Sequence, residues 1–200
     1  MNDMLRQLAE HLRTSASRKT GRYLLGITGP PGSGKSTLAD QLSYPVVTMD
    51  GFHLPNAELD ARGLRSRKGA PATFDADAFI ALARRLRDPV QLKVPRYSRE
   101  LHEPVADALT IPADNQIVIV EGNYLLLDQP PWDQVRGLLD EVWYLDVPLE
   151  TCMERVRRRH IGGGLSAEGA AVKIETNDRP NAVLVESTRG RASMIVTLST

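Results

Sequence analysis

The sequence of 200 residues predicts an α/β fold, in which a central, mainly parallel sheet of about five strands lies between two layers of helices. Segments typical of strands alternate with segments typical of helices along the chain. The candidate strands are apolar at successive positions, which is typical of parallel strands buried on both faces. No repeat, low-complexity tract or linker divides the chain, so we expect a single domain over residues 1–200.

Apolar residues at helical spacing and short apolar runs that stop at Gly, Pro or Asp predict the elements of the first half. These are a helix over residues 2–17, a strand over 23–28, a helix over 35–42, a strand over 46–49, a loop over 55–73 and a helix over 75–86. We expect the first helix to pack either on its own domain or on a second copy in a homodimer.

The second half is predicted to continue the alternation. Its elements are a β-excursion over residues 90–110, strands over 117–120 and 142–145, a helix from 149 to about 160, a helix over 166–175 and a last central strand over 182–185. Pro148 is well placed to open its helix, and three glycines at 162–164 end it. Residues 194–196 are a candidate edge strand.

Composition excludes several classes of protein. The 25 basic and 25 acidic residues cancel, which argues against a nucleic-acid partner. The single Cys152 excludes an internal disulfide and a cysteine metal cluster, and is consistent with a reducing compartment. No apolar run approaches the ~20 residues of a membrane-spanning helix, and the amino terminus does not resemble a signal peptide. We therefore expect a cytoplasmic protein without a membrane partner.

Residues 29–37 read GPPGSGKST and fit the pattern G-x-x-x-x-G-K-[ST]. The motif follows a predicted strand and opens a predicted helix, so its glycines and the helix start can cradle a triphosphate. Lys35 adds a full positive charge, and the Ser36 hydroxyl can bind Mg²⁺. The alternative is a Gly/Pro-rich turn with an exposed lysine. The candidate nucleotide-binding residues are Gly29, Pro30, Pro31, Gly32, Ser33, Gly34, Lys35, Ser36 and Thr37.

Asp50, Glu121 and Asp146 each end a predicted strand. Ligands of open parallel sheets lie outside the carboxyl ends of the strands, so all three can face the triphosphate. Asp50 is placed to accept a proton from an attacking hydroxyl, or is a turn residue before Gly51. Glu121 is a candidate for holding Mg²⁺ through its water, or a plain strand-end acid. Asp146 is more typical of a cap or turn.

The helix from Leu149 predicts a basic group beside the triphosphate. Its apolar stripe, continued by helical spacing, puts Arg159 and His160 on the inward side, beyond the end of the sheet. A buried arginine there is costly unless an anion meets it. The arginines before the three glycines therefore fit a mobile lid that reaches the transferred phosphoryl group, with Arg159 as a candidate catalytic residue. The alternative is a solvated basic helix end.

The segments GPPGSGKST, VVTMDGFH, VIVEGNYLL and LETCMERVRRRH, in this order and spacing, resemble the phosphoribulokinase/uridine kinase/pantothenate kinase family of P-loop kinases. The segment TMDGFHLPNAELDARGLRSRKGAPATFDADAF is most similar to a bacterial subgroup named fructose-transport-system kinases or nucleoside triphosphate hydrolase domain proteins. The resemblance covers roughly residues 22–187. It departs from the family in the lid, where Arg159-His160 replaces the usual Arg-Asp pair.

The resemblance implies a P-loop NTPase fold and phosphorylation of a small-molecule hydroxyl with ATP and Mg²⁺ as cofactors. It further implies that Lys35 binds phosphate, that Asp50 is the base, and that Ser36 and Glu121 serve the metal. It puts the lid at about residues 155–166 and the nucleotide base near a late loop, with Asn177 and Asn181 as candidate contacts.

Residues 94–104 (VPRYSRELHEP) offer the directional donors and acceptors that a polyol requires, in a region that family members close over the acceptor. The candidate substrate contacts, besides Asp50, are His53, Arg96, Tyr97, His102, Asn123 and Tyr124. Each has the alternative of a surface or packing role. The cations Arg62, Arg65, Arg67 and Lys68 either meet an acceptor phosphate or lie on a solvated loop.

The leading hypothesis is a kinase that phosphorylates a sugar or similar polyol, fructokinase-like in its most specific form. A rival hypothesis changes the acceptor to a nucleoside, a pantothenate-like acid or glycerate. A hypothesis of another class is a regulatory switch that hydrolyses nucleoside triphosphates. The chain contains neither the N-K-x-D motif of a GTPase nor the L-S-G-G-Q signature of a transporter ATPase, which disfavours the switch.

Overall fold

Five parallel strands form the central sheet, and helices cover both of its faces. The computed structural model describes residues 3–197. The strands are β1 (Tyr23–Thr28), β2 (Val46–Thr48), β3 (Leu92–Ser98), β4 (Glu103–Ile111), β5 (Ile117–Glu121), β6 (Glu141–Asp146) and β7 (Met194–Thr197). The helices are α1 (Asp3–Ser17), α2 (Lys35–Leu42), α3 (Asn56–Ala61), α4 (Ala76–Arg85), α5 (Leu149–Gly162), α6 (Ala167–Lys173) and α7 (Arg179–Ser187). The sheet order β2-β5-β1-β6-β7 puts β1 at the centre.

Both faces of the sheet are buried because successive residues of each strand point to opposite sides. In β1, Leu24 packs in one apolar cluster with residues of α4 and α7. Leu25 and Ile27 pack in a second cluster with residues of α1 and α2. This two-sided burial accounts for the continuous apolar runs of the strands. The predicted α/β class with a mainly parallel five-stranded sheet is confirmed, and α1 packs on its own domain.

Two predicted elements are wrong. Residues 182–185, predicted as a central strand, lie within α7, where Ala182 and Val185 are buried and Val183 is exposed. That burial has helical spacing, which a run of only four apolar residues conceals. Residues 55–73, predicted as a loop, contain α3 and two 3₁₀ turns.

The edge strand predicted at 194–196 is present as β7 and completes the sheet. The remaining predicted helices and strands are present, with ends that differ by at most two residues from the predicted ones. The predicted β-excursion is a hairpin of the antiparallel strands β3 and β4, outside the central sheet. Parts of the predictions on residues 1, 2 and 198–200 lie outside the described residues. Among residues 3–197, the helices are too short or too polar to cross a membrane.

A π-helical turn, Ile174–Asp178, joins α6 to α7 without a break in the helical chain. Pro180 lies at the start of α7. A proline in a helix lacks the N–H donor and crowds the preceding turn. This is consistent with the i to i+5 hydrogen bonds of the π-helical turn that precedes Pro180. The turn has a consequence for the packing of the site, because it buries Asn177 and Asp178.

Candidate active site

The glycine-rich loop connects β1 to α2 at the carboxyl edge of the sheet. Gly32 has a φ of 85°, and a Cβ on it would lie 2.5 Å from the carbonyl oxygen of Cys152 in α5, so the loop and α5 are packed at a distance only glycine permits. Gly34, with a φ of 97°, directly precedes α2. Within residues 3–197, the buried Ser33 hydroxyl has no hydrogen-bond partner. The loop therefore presents the helix start and an unpaired polar atom at one place.

Lys35 is almost completely buried inside this loop, with 7% of its surface exposed. Its Nζ donates hydrogen bonds to the carbonyl oxygens of Gly29 (2.9 Å) and Pro30 (3.1 Å). Burial lowers the pKa of its ammonium, and the charges of Glu121 and Asp50 oppose that shift. The ammonium thus lies between its own loop and two carboxylates, where a phosphate oxygen can take the place of a carbonyl.

Glu121 ends β5, the strand beside β1, and its carboxylate accepts a hydrogen bond of 3.0 Å from the Ser36 hydroxyl. Burial raises the pKa of this carboxyl, and the charge of Lys35 opposes the increase. A hydroxyl and a carboxylate are oxygen ligands of the kind that Mg²⁺ prefers alongside water and substrate phosphates. The donor set predicted for the metal, Ser36 and Glu121, is therefore brought together and fits Mg²⁺.

Asp50 lies in a 3₁₀ turn, Met49–Phe52, that begins where β2 ends, one residue earlier than predicted. Its side chain is exposed, and its charge affects the pKa values of both Lys35 and Glu121. Sheet order explains this convergence, because β2 pairs with β5 and β5 pairs with β1. The predicted base, phosphate-binding lysine and metal-binding acid thus share one edge of the sheet.

Asp146 ends β6, on the other side of β1. Its carboxylate accepts hydrogen bonds from Arg189 Nη2 (2.9 Å) and Nε (3.2 Å). The acid that the sequence marks as a cap or turn residue is therefore part of an ion pair.

The four arginines of α5 divide into two pairs. Arg155 donates to the Gly32 carbonyl oxygen (3.2 Å), and the charge of Arg159 contributes to the lowered pKa of Lys35. Arg157 and Arg158 pair with Glu154 instead. Helical spacing of four puts Arg155 and Arg159 on the face beside the phosphate-binding loop. Arg159 is exposed on this face and not buried as its predicted inward position implies, and its catalytic role stays a prediction.

His53 connects Asp50 to the hairpin of β3 and β4. Its Nδ1 lies 2.9 Å from the Asp50 carbonyl oxygen, and its ring packs against Phe74 (4.0 Å between centroids) and Tyr97 (5.1 Å). Burial lowers the pKa of its imidazole, which favours the neutral ring at neutral pH. A Cβ on Gly51 would lie 2.6 Å from the Pro95 carbonyl oxygen, so the turn holding Asp50 is packed directly on the hairpin.

The other predicted acceptor contacts differ in exposure. Arg96 and His102 are exposed on the hairpin, and Asn123 is half-buried. Tyr124 is only 1% exposed, packs edge-on against Phe74 and donates a hydrogen bond of 2.6 Å to the Gly69 carbonyl oxygen. The structure therefore places Tyr124 in the core instead of on the open side of the site. Its contact with an acceptor stays a prediction.

The two candidate base contacts are also buried. Asn177 is 1% and Asn181 4% exposed. Asn177 Nδ2 donates to the Lys68 carbonyl oxygen (2.9 Å), and Asn177 Oδ1 accepts from Arg67 Nε (3.3 Å) and Asn181 Nδ2 (3.4 Å). A nucleotide base would reach these amides only after this packing opened, so their role stays a prediction.

Sequence reasoning missed how the basic residues of segment 62–68 are used. Each has a protein partner: Arg62 pairs with Glu58, Arg65 with Asp60, Arg67 with Asn177, and Lys68 with Asn56 and His102. The i,i+4 spacing of Glu58 and Arg62 is the one signal in the sequence that points to a helix there. A cavity of about 530 Å³ beside this segment, bounded by residues 54–77 and 127–132, was also not predicted.

The protein-family model described as "Phosphoribulokinase / Uridine kinase family" matches residues 24–198. The chain belongs to this family. As a member, it is an ATP-dependent P-loop kinase with a small-molecule substrate, and the family and fold expected from the sequence are confirmed.

Individual relatives of this kinase match over most of their own length. A proposed uridine kinase of Schizosaccharomyces pombe is 38% identical over 184 residues, which cover 82% of this chain and 78% of that protein. The uncharacterised protein YggC of Escherichia coli (strain K12) is 36% identical, with 98% of this chain and 85% of that protein covered. The crystal structure of a proposed fructose transport system kinase from Silicibacter sp. TM1040 has a TM-score of 0.91 at 34% identity and covers 98% of this chain and 99% of that one.

Proposed function

We propose that this kinase transfers the γ-phosphoryl group of ATP to a hydroxyl of a sugar or similar polyol, with Asp50 as the base. The observation that carries the proposal is the shared edge of the sheet, where the exposed Asp50 carboxylate lies close enough to Lys35 and Glu121 to change their pKa values. The hairpin with its polar side chains packs on the same turn through Gly51 and Pro95. A triphosphate and an alcohol can therefore meet beside one carboxylate.

The residues divide the reaction between them. The loop backbone and Lys35 bind the β- and γ-phosphates and hold them in place. The acceptor hydroxyl gives its proton to the Asp50 carboxylate while its oxygen bonds to the γ-phosphorus and the bond to the β-phosphate oxygen breaks, leaving ADP. Arg159, whose charge lowers the pKa of Lys35, stabilises the charge on the transferred group.

Ser36 and Glu121, whose side-chain oxygens are 3.0 Å apart, would hold Mg²⁺. The ion, when bound, would neutralise charge on the phosphates. A carboxyl group must lose its proton before it can serve a cation, and burial raises the pKa of Glu121. As the pH falls, Mg·ATP binding should therefore begin to weaken at a higher pH than it would with a glutamate of ordinary pKa.

The acceptor side favours a polyol because it offers several directional groups. Tyr97, Arg96 and the imidazole of His53 lie around the turn of Asp50. The tyrosine and the neutral imidazole can donate to or accept from hydroxyls, and the arginine can donate to them. The similarity to a proposed fructose transport system kinase makes fructose the first acceptor to test. The similarity to a proposed uridine kinase makes uridine the second.

The test is an acceptor screen with Asp50→Asn and a matched control. Purified protein with Mg·ATP is assayed for ADP release with hexoses, polyols, nucleosides, pantothenate and glycerate, and ³¹P NMR identifies the product. We expect a hexose or polyol phosphate, and a loss of about 10²-fold or more in kcat for Asp50→Asn with ATP affinity retained. The control Asp146→Asn removes a strand-end carboxylate that pairs with Arg189, and should retain kcat.

Three outcomes would contradict this proposal. Unchanged kcat in Asp50→Asn would exclude Asp50 as the base. Phosphorylation of nucleosides without sugars would establish the uridine-type acceptor. ATP turnover that no acceptor changes would favour a nucleotide-hydrolysing switch.

A further inference from the structure

Lys68 lies at the junction of α3 and the hairpin of β3 and β4. Its Nζ donates to Asn56 Oδ1 (2.6 Å) and to the His102 carbonyl oxygen (2.8 Å), and lies 5.1 Å from the centre of the Tyr97 ring. The ammonium thus contacts three groups of the protein. One side chain contacts both the hairpin tip and Tyr97, one of the two aromatic residues that pack against His53.

The hairpin tip is fixed at that point by two further hydrogen bonds. Asn56 Nδ2 donates to the same His102 carbonyl oxygen (3.1 Å), and the Asn56 backbone N–H donates to the Glu103 carboxylate (2.9 Å). His102 has a φ of 53°, in the left-handed region that a residue with a side chain seldom adopts. Two donors on its carbonyl oxygen stabilise this conformation, and Lys68 provides one of them.

The backbone around Lys68 is anchored to the rest of the site. Its carbonyl oxygen accepts from Asn177 Nδ2 (2.9 Å), and the next carbonyl oxygen, of Gly69, accepts from the Tyr124 hydroxyl (2.6 Å). Tyr124 follows Glu121 by three residues, and Asn177 belongs to the π-helical turn after α6. Lys68 therefore connects the hairpin to a segment whose backbone is hydrogen-bonded to Tyr124, after β5, and to Asn177, between α6 and α7.

We propose that Lys68 is a positioning residue that holds the tip of the β3–β4 hairpin and thereby fixes Tyr97 and Arg96 on the acceptor side of the site. This inference rests on the proposed function, because it treats the hairpin as part of the acceptor site. Lys68 acts through His102 and Tyr97, and the acceptor itself is bound by the hairpin. Loss of Lys68 should accordingly weaken acceptor binding and leave the ATP site, on the other side of Asp50, unchanged.

The experiment compares Lys68→Met, which keeps the length of the side chain and loses its donors, with Lys68→Arg, which keeps donors and charge. Lys93→Met is the matched control, because Lys93 is exposed on β3 of the same hairpin. The amide hydrogen-exchange rates of residues 96–104, measured without any acceptor, report how stably the hairpin tip is folded. Steady-state kinetics with the acceptor found in the screen measures positioning, and calorimetry with Mg·ADP measures the nucleotide site.

We expect Lys68→Met to speed exchange at 96–104 and to raise the acceptor KM by about tenfold, the equivalent of about 1.4 kcal/mol, with kcat and the Mg·ADP Kd changed less than about twofold. Lys68→Arg should recover most of the loss, and Lys93→Met should behave as wild type. Should Lys68→Met not fold, Asn56→Ala removes the other donor to His102 and should show the same change in KM.

Unchanged exchange in Lys68→Met would overturn the proposal, as would faster exchange with an unchanged acceptor KM or an equal loss in Lys93→Met. Failure of the proposed function is distinguishable from these results. In that case the wild-type protein phosphorylates no acceptor, while the exchange rates still decide whether Lys68 holds the tip.

Discussion

Two buried cations lie at opposite ends of the central strand β1, and their surroundings differ. Arg22, 1% exposed, directly precedes the strand, and Lys35, 7% exposed, follows it in the glycine-rich loop. Burial lowers the pKa of both side chains. The partners of each cation, not the burial, decide what each end of the sheet can do.

Within the described part of the chain, Arg22 donates to backbone carbonyl oxygens of several separate segments. The acceptors are those of Asn115 (3.1 Å), Leu86 (3.2 Å), Asp88 (3.0 Å), Val90 (3.3 Å), Pro112 (2.8 Å) and Ala113 (3.4 Å). The planar guanidinium directs its donors in a fixed pattern. It thereby ties the end of α4 and the starts of β3 and β5 to β1, an arrangement suited to rigidity.

Lys35 instead donates to two carbonyl oxygens of its own loop, beside the carboxylates Glu121 and Asp50. An ammonium on a flexible stem can exchange one acceptor for another. The carboxyl end of the sheet therefore holds charges that a ligand can reorganise, whereas the amino end holds a charge that the fold has already satisfied. The comparison predicts that removing Lys35 lowers activity and not stability, and that removing Arg22 lowers stability and not activity.

The largest effect is expected for Lys35→Met. Removing a preorganised cation from the phosphates should lower kcat/KM by about 10³-fold. The unfolding free energy should stay the same or increase, because burial already disfavours the charged ammonium. Steady-state kinetics and urea unfolding measure the two quantities. A variant that loses stability as well as activity would show that Lys35 also supports the fold and would weaken the comparison.

Arg22→Met should show the reverse. It removes six hydrogen bonds to backbone carbonyl oxygens, of which the bond to Leu86 is buried and the others are partly buried, so the unfolding free energy should fall by about 3 kcal/mol. At low temperature the folded fraction should keep kcat/KM within about twofold, because the hydrogen-bond partners of Arg22 among residues 3–197 lie outside the candidate site. Urea unfolding and kinetics at 10 to 15 °C, roughly where such domains are most stable, test both parts. Arg22→Lys should restore only part of the loss.

The sequence predicts one of these two cations and not the other, for a physical reason. Lys35 belongs to a local motif, so its spacing from Gly29 and Ser36 identifies it. Arg22 has partners 64 to 93 residues away in the chain, and no local pattern records them. The acids at the strand ends were predictable in the same local way, and the sequence already marks Asp146 as more typical of a cap or turn. Sheet order adds that Asp50 and Glu121 follow the neighbouring strands β2 and β5.

Long-range packing also explains the less successful predictions. Tyr124 follows a strand-end acid, a position typical of a substrate contact, yet its hydroxyl bonds to Gly69 and its ring packs in the core. Asn177 is buried within a π-helical turn, whose position the sequence does not reveal. Segment 62–68 is predicted as a loop because two of its cations have distant partners, Arg67 in the π-helical turn and Lys68 in the hairpin, which no local pattern records.

The smallest effect is expected for the stability of Glu121→Gln, which tests the comparison at the carboxyl end of the sheet. Burial raises the folded pKa of Glu121 above its unfolded value, so the folded state holds this proton more tightly. The contribution of Glu121 to stability is therefore full below the unfolded pKa and is lost as the pH rises through the folded pKa. The glutamine variant should remove this loss and gain up to about 1 kcal/mol near neutral pH, while activity with Mg·ATP falls.

Urea unfolding across pH measures this effect, with Glu154→Gln as the control of opposite sign. Hydrogen bonds from Arg157 and Arg158 lower the pKa of Glu154 to about 2, so its stabilisation is present above the unfolded pKa and is lost as the pH falls toward 2. Glu154→Gln should therefore not gain stability at neutral pH. If Glu121→Gln is less stable than wild type at neutral pH, the hydrogen bond from Ser36 outweighs the burial of the charge. The charge of Glu121 would then be stabilised by its partners in the folded protein, as the charge of Arg22 is.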